Sequence, residues 1–281
     1  MSNSVQRVSV RRIPGGLEQQ DHLVVEEPLE LVLAYCDPTN QSGDDQNQPI
    51  EKTIAITMRT PGHDDVLAAG FFFTEGVISA PSDIIAISTV DNRTVVSLRS
   101  GLVPDLKLLE RHFYTNSSCG VCGKTSLEAL HAVAPFPVPG APFICSAEAL
   151  QALPAELLHR QGAFASTGSA HAAALFNVDG VIESAYEDVG RHNALDKLIG
   201  AAFLAGQLPL SKHGILLSGR AGFELVQKTR MAASPILAAI GAPSGLAVDL
   251  AWESGMTLVG FLREQSMNVY SCPSRIIVLT A

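Results

Sequence analysis

From about residue 146 to the C-terminus, short apolar segments alternate with segments of helical periodicity. Helices are predicted over about 146–159, 191–205, 223–233 and 246–253. Strands are predicted over about 171–178, 181–186, 214–218, 235–240 and 257–262, and a last strand pair ends at 276–279. Strands that alternate with helices predict βαβ units. Residues 146–281 are therefore expected to form a three-layer α/β/α domain with a mostly parallel sheet and helices on both faces.

The first half of the chain has a different pattern, which predicts a separate α+β domain over residues 1–134. Strands are predicted over about 23–35, 50–60, 84–90 and 94–98, and one main helix is predicted after Pro61-Gly62. The segment 135–145 is rich in proline, which blocks both helices and central strands, so it is the predicted linker between the two domains.

Composition excludes several classes of protein. The 281 residues are 47% apolar and 17% charged, which is typical of a globular chain, and the net charge of −9 argues against broad nucleic-acid binding. The arginines near the N-terminus are not followed by the apolar region of a signal peptide, and no apolar run reaches the ~18 residues of a membrane span. The expected location is the cytoplasm.

The segment SSCGVCGKTSLE, residues 117–128, contains the strongest chemical signal. Cys119 and Cys122 form a CxxC pair, each cysteine is followed by glycine, and Lys124 lies close by. The spacing of Thr125 and Glu128 predicts a capping box, which places both cysteines just before a helix start. A helix N-terminus and a neighbouring lysine both favour the thiolate, so we expect a nucleophilic sulfur centre in a loop that can bend widely.

The CxxC pair alone is compatible with three kinds of chemistry. A thiolate can accept sulfane sulfur and hold it as a persulfide, or the pair can exchange thiols and disulfides. It can also be half of a zinc site, but Cys36, Cys145 and Cys272 are isolated, so histidines would have to complete the ligands. No permanently bound metal is predicted.

Two strand-to-helix turns in the second half suit an anionic ligand. In LLSGRAGFE, Gly219 and Arg220 lie between an apolar strand and a helix start, and in EDVGRHNALDK, His192 lies at another helix start. Such turns offer backbone N–H groups to a phosphate, and arginine adds a planar cation. In an open α/β sheet they would meet at the edge where ligands bind.

These blocks together resemble the FdhD/NarQ family, the formate dehydrogenase accessory sulfurtransferases. The resemblance covers most of the chain and includes the segments TMRTPGHDDVLAAGF, SSCGVCGKTSLE, EDVGRHNALDKLIG, LSGRAGFELVQK and TLVGFLREQSMNVYSCPSRI. It implies a sulfurtransferase that accepts persulfide sulfur from a cysteine desulfurase. The sulfur would pass to the molybdenum or tungsten bis-molybdopterin guanine dinucleotide cofactor before its insertion into formate dehydrogenase.

The resemblance also implies roles for individual residues. Cys119 maps to the persulfide carrier and Cys122 to an assisting cysteine. The cofactor-binding segment maps to six residues, with His192, Gly219 and Arg220 as further candidates: Phe261, Leu262, Arg263, Glu264, Gln265 and Ser266. A cytoplasmic homodimer is expected. The alternatives are a cofactor-binding chaperone without covalent sulfur transfer, and a thiol–disulfide oxidoreductase.

The family's second half is similar to the cytidine deaminase-like fold, which allows a test of deaminase chemistry. Zinc deaminases carry H-x-E and P-C-x-x-C at two successive helix starts. At the corresponding helix starts this chain has GRHN and SGRAG, so the catalytic glutamate and the zinc cysteines are absent. Basic, donor-rich groups in their place fit a guanine dinucleotide pocket better than a deaminase centre.

Overall fold

The computed structural model describes residues 4–36, 49–105, 134–139 and 143–278. Two antiparallel strands near the N-terminus, β1 (Val5–Arg11) and β2 (Glu18–Val24), form a hairpin of their own. The predicted strand over 23–35 is in fact divided between β2 and the next strand, with a break at residues 25–26.

A four-stranded sheet follows, and it carries one helix. Its strands are β3 (Glu27–Tyr35), β4 (Ile50–Arg59), β5 (Ile84–Val90) and β6 (Arg93–Leu98), in the order β4-β3-β6-β5. β3 and β6 are parallel, whereas the two outer pairs are antiparallel. Helix α1 (Asp64–Thr74) begins after Pro61-Gly62 as predicted, with two aspartates in its first turn, where they complement the helix dipole.

The second half contains a six-stranded sheet. Its strands are β8 (His171–Phe176), β9 (Ile182–Asp188), β10 (Gly214–Leu217), β11 (Ile236–Ala239), β12 (Thr257–Arg263) and β13 (Ser266–Ser271). Their order in the sheet is β13-β12-β11-β10-β8-β9. Two short strands, β7 (Cys145–Ser146) and β14 (Ile276–Ile277), pair in parallel outside it. The helices of this half are α2 (Ala147–Arg160), α3 (Gly162–Thr167), α4 (Arg191–Leu204), α5 (Phe223–Met231) and α6 (Gly245–Glu253).

Both faces of the six-stranded sheet are covered, because successive side chains of a strand point to opposite faces. In β8, Ala172 and Ala174 belong to the apolar cluster of α2, which also contains Leu153. Ala173 and Leu175 belong to the other cluster, which includes the buried residues of α4, α5 and α6. The chain is therefore a mixed α/β protein, and its second half has the predicted helix, sheet and helix layers.

The prediction of a mostly parallel sheet is wrong. Only the central pairs β10–β11 and β11–β12 are parallel, whereas β8–β9, β8–β10 and β12–β13 are antiparallel. The two outer pairs are hairpins, whose tight turns force the antiparallel direction. The pattern of apolar residues predicted where the strands lie, but it did not predict whether neighbouring strands run parallel or antiparallel.

Helix α1 of the first half crosses α4 of the second half at two glycines. A Cβ atom added to Gly70 would overlap the carbonyl oxygen of Asp196, and one added to Gly200 would overlap the carbonyl oxygen of Val66. The two backbones therefore touch directly, and one apolar cluster continues from β3 and α1 into α4, α5 and α6. The predicted boundaries 1–134, 135–145 and 146–281 remain a prediction.

We expect Gly70→Ala to lower the free energy of unfolding by about 1–3 kcal/mol, because the added methyl group must push two backbones apart. The matched control is Gly245→Ala at the start of α6, where a Cβ atom meets nothing within 4 Å. Chemical denaturation of both variants measures the difference. Equal stability of the two variants would contradict the close helix crossing.

Candidate functional site

The loops that follow β10 and β11 lie side by side at the carboxyl ends of the two strands. The amide of Gly241 donates to the Gly219 carbonyl at 2.9 Å, and the amide of Ala221 donates to the Ala242 carbonyl at 3.2 Å. A Cβ atom on Gly241 would lie 2.8 Å from the Cα atom of Arg220, so only glycine permits this approach. The paired loops fix the backbone position of Arg220.

A cleft of about 420 Å³ opens beside these loops, between the starts of α4 and α5. Its wall contains Arg191, His192, Arg220 and Glu224, and we call it the cationic cleft. The helices begin after Gly190 and Gly222, which have no side chains to cap the first N–H groups. Such helix starts offer backbone N–H groups to anions, so the cationic cleft combines two donor-rich helix ends with up to three positive side chains.

Within the cleft, His192 and Glu224 form a pair that joins α4 to α5. The Nε2 atom of His192 lies 3.0 Å from a carboxylate oxygen of Glu224. Burial acts to raise the pKa of Glu224, but the hydrogen bond and charge of His192 outweigh it, so the pKa lies below its ordinary value. The Glu224 carboxylate is therefore ionised and paired with His192. Arg191 and Arg220 are then the cationic side chains of the cleft wall that this carboxylate does not neutralise.

One turn further along each helix, Lys228 of α5 and Asp196 of α4 form a second ion pair, which lies beneath the first. The Nζ atom of Lys228 lies 3.0 Å from Asp196, 3.1 Å from Glu75 and 2.8 Å from the hydroxyl of Thr74. All of these groups lie at the contact of α1, α4 and α5, where Lys228 and Asp196 are buried. The two pairs, one at the cleft and one in the core, hold the helix starts at a fixed separation.

A buried carboxylate fixes the start of α4. Asp188 at the end of β9 accepts hydrogen bonds from the amides of Thr60 and Gly190 and from the side chain of Asn193. It also pairs with the buried ammonium of Lys197 at 2.7 Å. Because Asp188 links the chain after β4 to the first turn of α4, it positions Arg191 and His192 at the cleft.

We expect His192→Gln to raise the pKa of Glu224, because the substitution removes the imidazole that stabilises the carboxylate. A ¹³C NMR pH titration of the Glu224 side chain measures this pKa. His213→Gln is the matched control, since His213 pairs with Glu183 in a different ion pair at 3.1 Å. An unchanged Glu224 pKa in His192→Gln would contradict the pairing.

The same pair has a consequence for stability. Because the folded-state pKa of Glu224 lies below that of an unfolded glutamate, the pair stabilises the fold above the ordinary glutamate pKa. This contribution is lost as the pH falls through the lowered folded-state value.

The predicted cofactor segment 261–266 comprises the end of β12, the two-residue turn at 264–265 and the first residue of β13, and it lies next to the paired loops. The amide of Phe261 donates to the Gly241 carbonyl, and Arg263 donates to the Ile240 carbonyl at 2.6 Å. The Phe261 ring is exposed, whereas Leu262 is fully buried in the cluster that contains α2. Glu264, Gln265 and Ser266 are exposed. Thus Phe261 and Arg263 lie at the same sheet edge as Gly219 and Arg220.

Cys119 and Cys122 lie outside the described residues, as does the helix predicted after them.

In the described ranges, no group of three or more histidine, cysteine or acidic side chains is arranged to hold a metal ion. The same ranges contain no helix that combines the length and apolar character of a membrane span.

Sequence reasoning brought His192, Gly219 and Arg220 to one sheet edge, and the structure places them together there. It did not predict that Glu224, Lys228 and Asp196 also contribute to this site. Their signal was present in the spacing: His192 and Asp196, like Glu224 and Lys228, are four residues apart and therefore lie on one helix face. What the spacing could not show is that the two faces meet.

Comparisons with known proteins agree with this architecture. A protein from Streptomyces coelicolor named sulfur carrier protein FdhD is 46% identical, and the match covers 100% of this chain and 99% of the relative. A relative of the same name from Sulfurisphaera tokodaii is 40% identical over 97% of this chain and 99% of the relative. The crystal structure of a formate dehydrogenase accessory protein from Desulfotalea psychrophila matches with a TM-score of 0.70 and 25% identity, over 97% of this chain and 98% of that one.

The family resemblance read from the sequence motifs is confirmed by a family model. The model of the FdhD/NarQ family matches residues 47–277, which include the paired loops, the cationic cleft and the segment 261–266. The chain therefore belongs to the FdhD/NarQ family.

Proposed function

We propose that this protein is a sulfur carrier, a sulfurtransferase that accepts sulfane sulfur on Cys119 from a cysteine desulfurase. It would deliver the sulfur to the molybdenum bis-molybdopterin guanine dinucleotide cofactor that formate dehydrogenase requires. Support comes from the names of its relatives, sulfur carrier protein FdhD, and from the structural match to a formate dehydrogenase accessory protein. Whether the metal is molybdenum or tungsten does not change the roles proposed for this chain.

The observation that carries the proposal is the cationic cleft. A guanine dinucleotide has a pyrophosphate, and the cleft offers Arg191 and Arg220 together with two helix starts that lack a capping side chain. Arginine forms paired, charge-assisted hydrogen bonds with phosphate oxygens, and helix N-termini stabilise the same charge. The residues present therefore fit the phosphates of the client cofactor.

The segment 261–266 would complete this site through two of its side chains. The exposed Phe261 ring can stack on a planar group, and Arg263 adds a cation next to the Ile240–Gly241 backbone. Leu262 contributes through packing, because its side chain is buried in the core. Glu264, Gln265 and Ser266 remain proposed contacts of the same segment.

The sulfur step is a nucleophilic displacement. The Cys119 thiolate attacks the terminal sulfur of the donor persulfide, a new S–S bond forms, and the donor cysteine leaves as a thiolate. When the terminal sulfur passes to the cofactor, Cys119 is released as a thiolate again. Sulfane sulfur becomes a sulfide ligand by accepting two electrons, which a reduced metal centre can supply. Cys122 is proposed to assist or relay the sulfur.

The proposed relation to the cytidine deaminase-like fold is compatible with a protein that binds an anionic cofactor. Deaminases carry a catalytic glutamate and zinc cysteines at two helix starts. At the helix starts proposed to correspond to these, this chain has Arg191 and His192 at the start of α4 and Arg220 in the loop that leads into α5. The second half would then use a deaminase-type scaffold to hold an anionic cofactor instead of zinc. We further propose a cytoplasmic homodimer with no role for nucleic acid or membranes.

We expect Arg220→Ala to weaken the binding of GDP, a soluble probe of the cofactor's guanine dinucleotide end, by about tenfold to a hundredfold. This range corresponds to the loss of about 1.5–3 kcal/mol from hydrogen bonds to a charged group. Isothermal titration calorimetry measures the affinity, and Arg7→Ala on the exposed part of β1 is the control. Equal GDP affinity in Arg220→Ala and wild type would contradict the assignment of the cationic cleft.

A further inference from the structure

Helix α6 exposes a side that is both apolar and acidic. Leu246, Asp249, Trp252 and Glu253 are spaced three or four residues apart, so they share one side of the helix, and all four are exposed. The opposite side packs into the core through three residues: Ala247, Leu250 and Ala251. We call the exposed side the α6 face.

The α6 face begins at the cationic cleft. The side chain of Leu246, which is 44% exposed, forms part of the cleft wall. From there the helix runs for nine residues and ends at Glu253. At a rise of 1.5 Å per residue, its length is about 13 Å. A protein that covers the α6 face therefore also reaches the opening of the cleft.

Trp252 is the largest side chain of the α6 face. It is the only tryptophan of the sequence, and it is 55% exposed. Tryptophan is enriched among the few residues that carry most of the binding energy of protein interfaces, because its large ring fills a pocket at a small entropic cost. Single exposed apolar side chains are common on protein surfaces, but Trp252 shares its face with Leu246. The α6 face thus has two apolar anchors for a partner.

The two carboxylates of the α6 face do not stabilise the helix that carries them. Asp249 and Glu253 are four residues apart, where like charges repel each other, and Glu253 ends the helix, where the dipole disfavours negative charge. The last turn of α6 contains no basic residue, and neither carboxylate forms an ion pair with a described residue. Positive groups of another molecule would compensate both charges.

The position of the α6 face indicates which partner fits it. The proposed client of the cationic cleft carries phosphates, so a protein that receives this client needs positive side chains at the entrance of its own binding channel. When that entrance lies against the cleft, its positive side chains meet Asp249 and Glu253. A sulfur donor has to reach Cys119 and has no need for such an entrance. Charge complementarity therefore favours the recipient over the donor.

We propose that the α6 face docks the protein that receives the anionic client from the cationic cleft. Trp252 fills an apolar pocket of that protein, and Asp249 and Glu253 pair with basic side chains around its entrance. This inference rests on the proposed function, in which the recipient is formate dehydrogenase. Docking at this face aligns the entrance with the cleft, so that the client passes between the two proteins without release into water.

The first test is the affinity of the full-length protein for formate dehydrogenase of the same organism, purified without its cofactor from a strain that lacks the accessory protein. Biolayer interferometry measures it. We expect Trp252→Ala to weaken binding at least about tenfold, whereas Ile85→Ala, at a position on β5 that is 67% exposed, retains the wild-type affinity. Equal affinity of Trp252→Ala and wild type, or no measurable binding by the wild type, would overturn the proposal.

Asp249→Lys/Glu253→Lys tests the charges of the α6 face. We expect binding to weaken at least about tenfold at low salt, because attraction between opposite charges is replaced by repulsion that salt then screens. Glu26→Lys/Glu148→Lys is the matched control, since it changes the net charge by the same amount at two exposed positions elsewhere. An equal loss of affinity in the control would show that net charge alone matters and would contradict specific docking at α6.

A second copy of this chain is the competing occupant, and the single tryptophan distinguishes the two. Protein labelled with 5-fluorotryptophan has one ¹⁹F resonance, that of Trp252. We expect its chemical shift to change when the dehydrogenase is added and to be independent of the concentration of the labelled protein alone. A shift that follows the protein's own concentration would assign the α6 face to self-association and overturn the proposal.

Trp252→Ala also separates docking from the proposed function itself. The variant retains Cys119 and Arg220, so persulfide formation on Cys119 and binding of GDP are expected at wild-type levels. Weaker docking with both of these activities intact supports the proposal. If wild-type protein forms no persulfide, the proposed function fails, whereas unchanged docking by Trp252→Ala overturns only the role of the α6 face.

Discussion

Cys119→Ala is expected to abolish the ability of this protein to restore formate dehydrogenase activity in a strain that lacks its own accessory protein. Alanine removes the sulfur atom that is proposed to accept the persulfide sulfur from the donor, and Cys122 is assigned only an assisting role. Formate oxidation in cell extracts measures the effect. Activity at the wild-type level in Cys119→Ala would show that covalent sulfur carriage at this position is not required.

Cys145→Ala is the matched control for that experiment. Cys145 is buried, and burial together with Asp179 raises the pKa of its thiol to about 11, so it is protonated and unreactive at neutral pH. Its replacement should leave formate dehydrogenase activity close to wild type. A loss as large as that of Cys119→Ala would mean that the assay responds to any lost cysteine.

Lys228→Met is expected to lower the free energy of unfolding by about 3–5 kcal/mol, the typical cost of leaving a buried charge without its partner. Asp196 would keep only the hydroxyl of Thr74, at 2.8 Å, as a described partner. Burial acts to lower the pKa of Lys228, but Asp196 and Glu75 outweigh it and hold the ammonium charged. Urea denaturation at pH 7 measures the loss, and Lys212→Met at an exposed position is the control.

A double variant separates the lost charge from the lost packing. In Asp196→Asn/Lys228→Met both buried charges are gone, so this variant should be more stable than Lys228→Met alone. Burial already raises the pKa of Asp196, and loss of Lys228 should raise it further. The penalty in Lys228→Met should therefore shrink as the pH falls through that raised value, because the protonated carboxyl is neutral. A double variant no more stable than the single one would contradict this account.

Most of the helices and strands could be predicted from the local pattern of apolar residues in the sequence. The start of α4 at Arg191 and of α5 at Phe223 followed from apolar periodicity after a glycine. Helix α3 was missed because it has only six residues and none of them is buried, so it has no apolar stripe. The direction of strand pairing was missed because alternation within a strand carries no information about its neighbour.

Part of the candidate site could also be predicted from the sequence. Glycine-rich turns after strands identified Gly219, Arg220 and His192, since strand order brings such turns to one edge. The Glu224 and Lys228 pairings could not be predicted, because they depend on how α4 and α5 pack against each other.

The central claim, sulfur carriage on Cys119, is tested most directly by mass spectrometry of the protein after incubation with a cysteine desulfurase and cysteine. The account predicts that the peptide containing Cys119 gains the mass of one sulfur atom, and that the gain disappears after reduction. Cofactor binding without any gain would favour the chaperone alternative. Alkylation trapping of a stable Cys119–Cys122 disulfide in place of the added sulfur would favour the oxidoreductase, and either result would contradict the account.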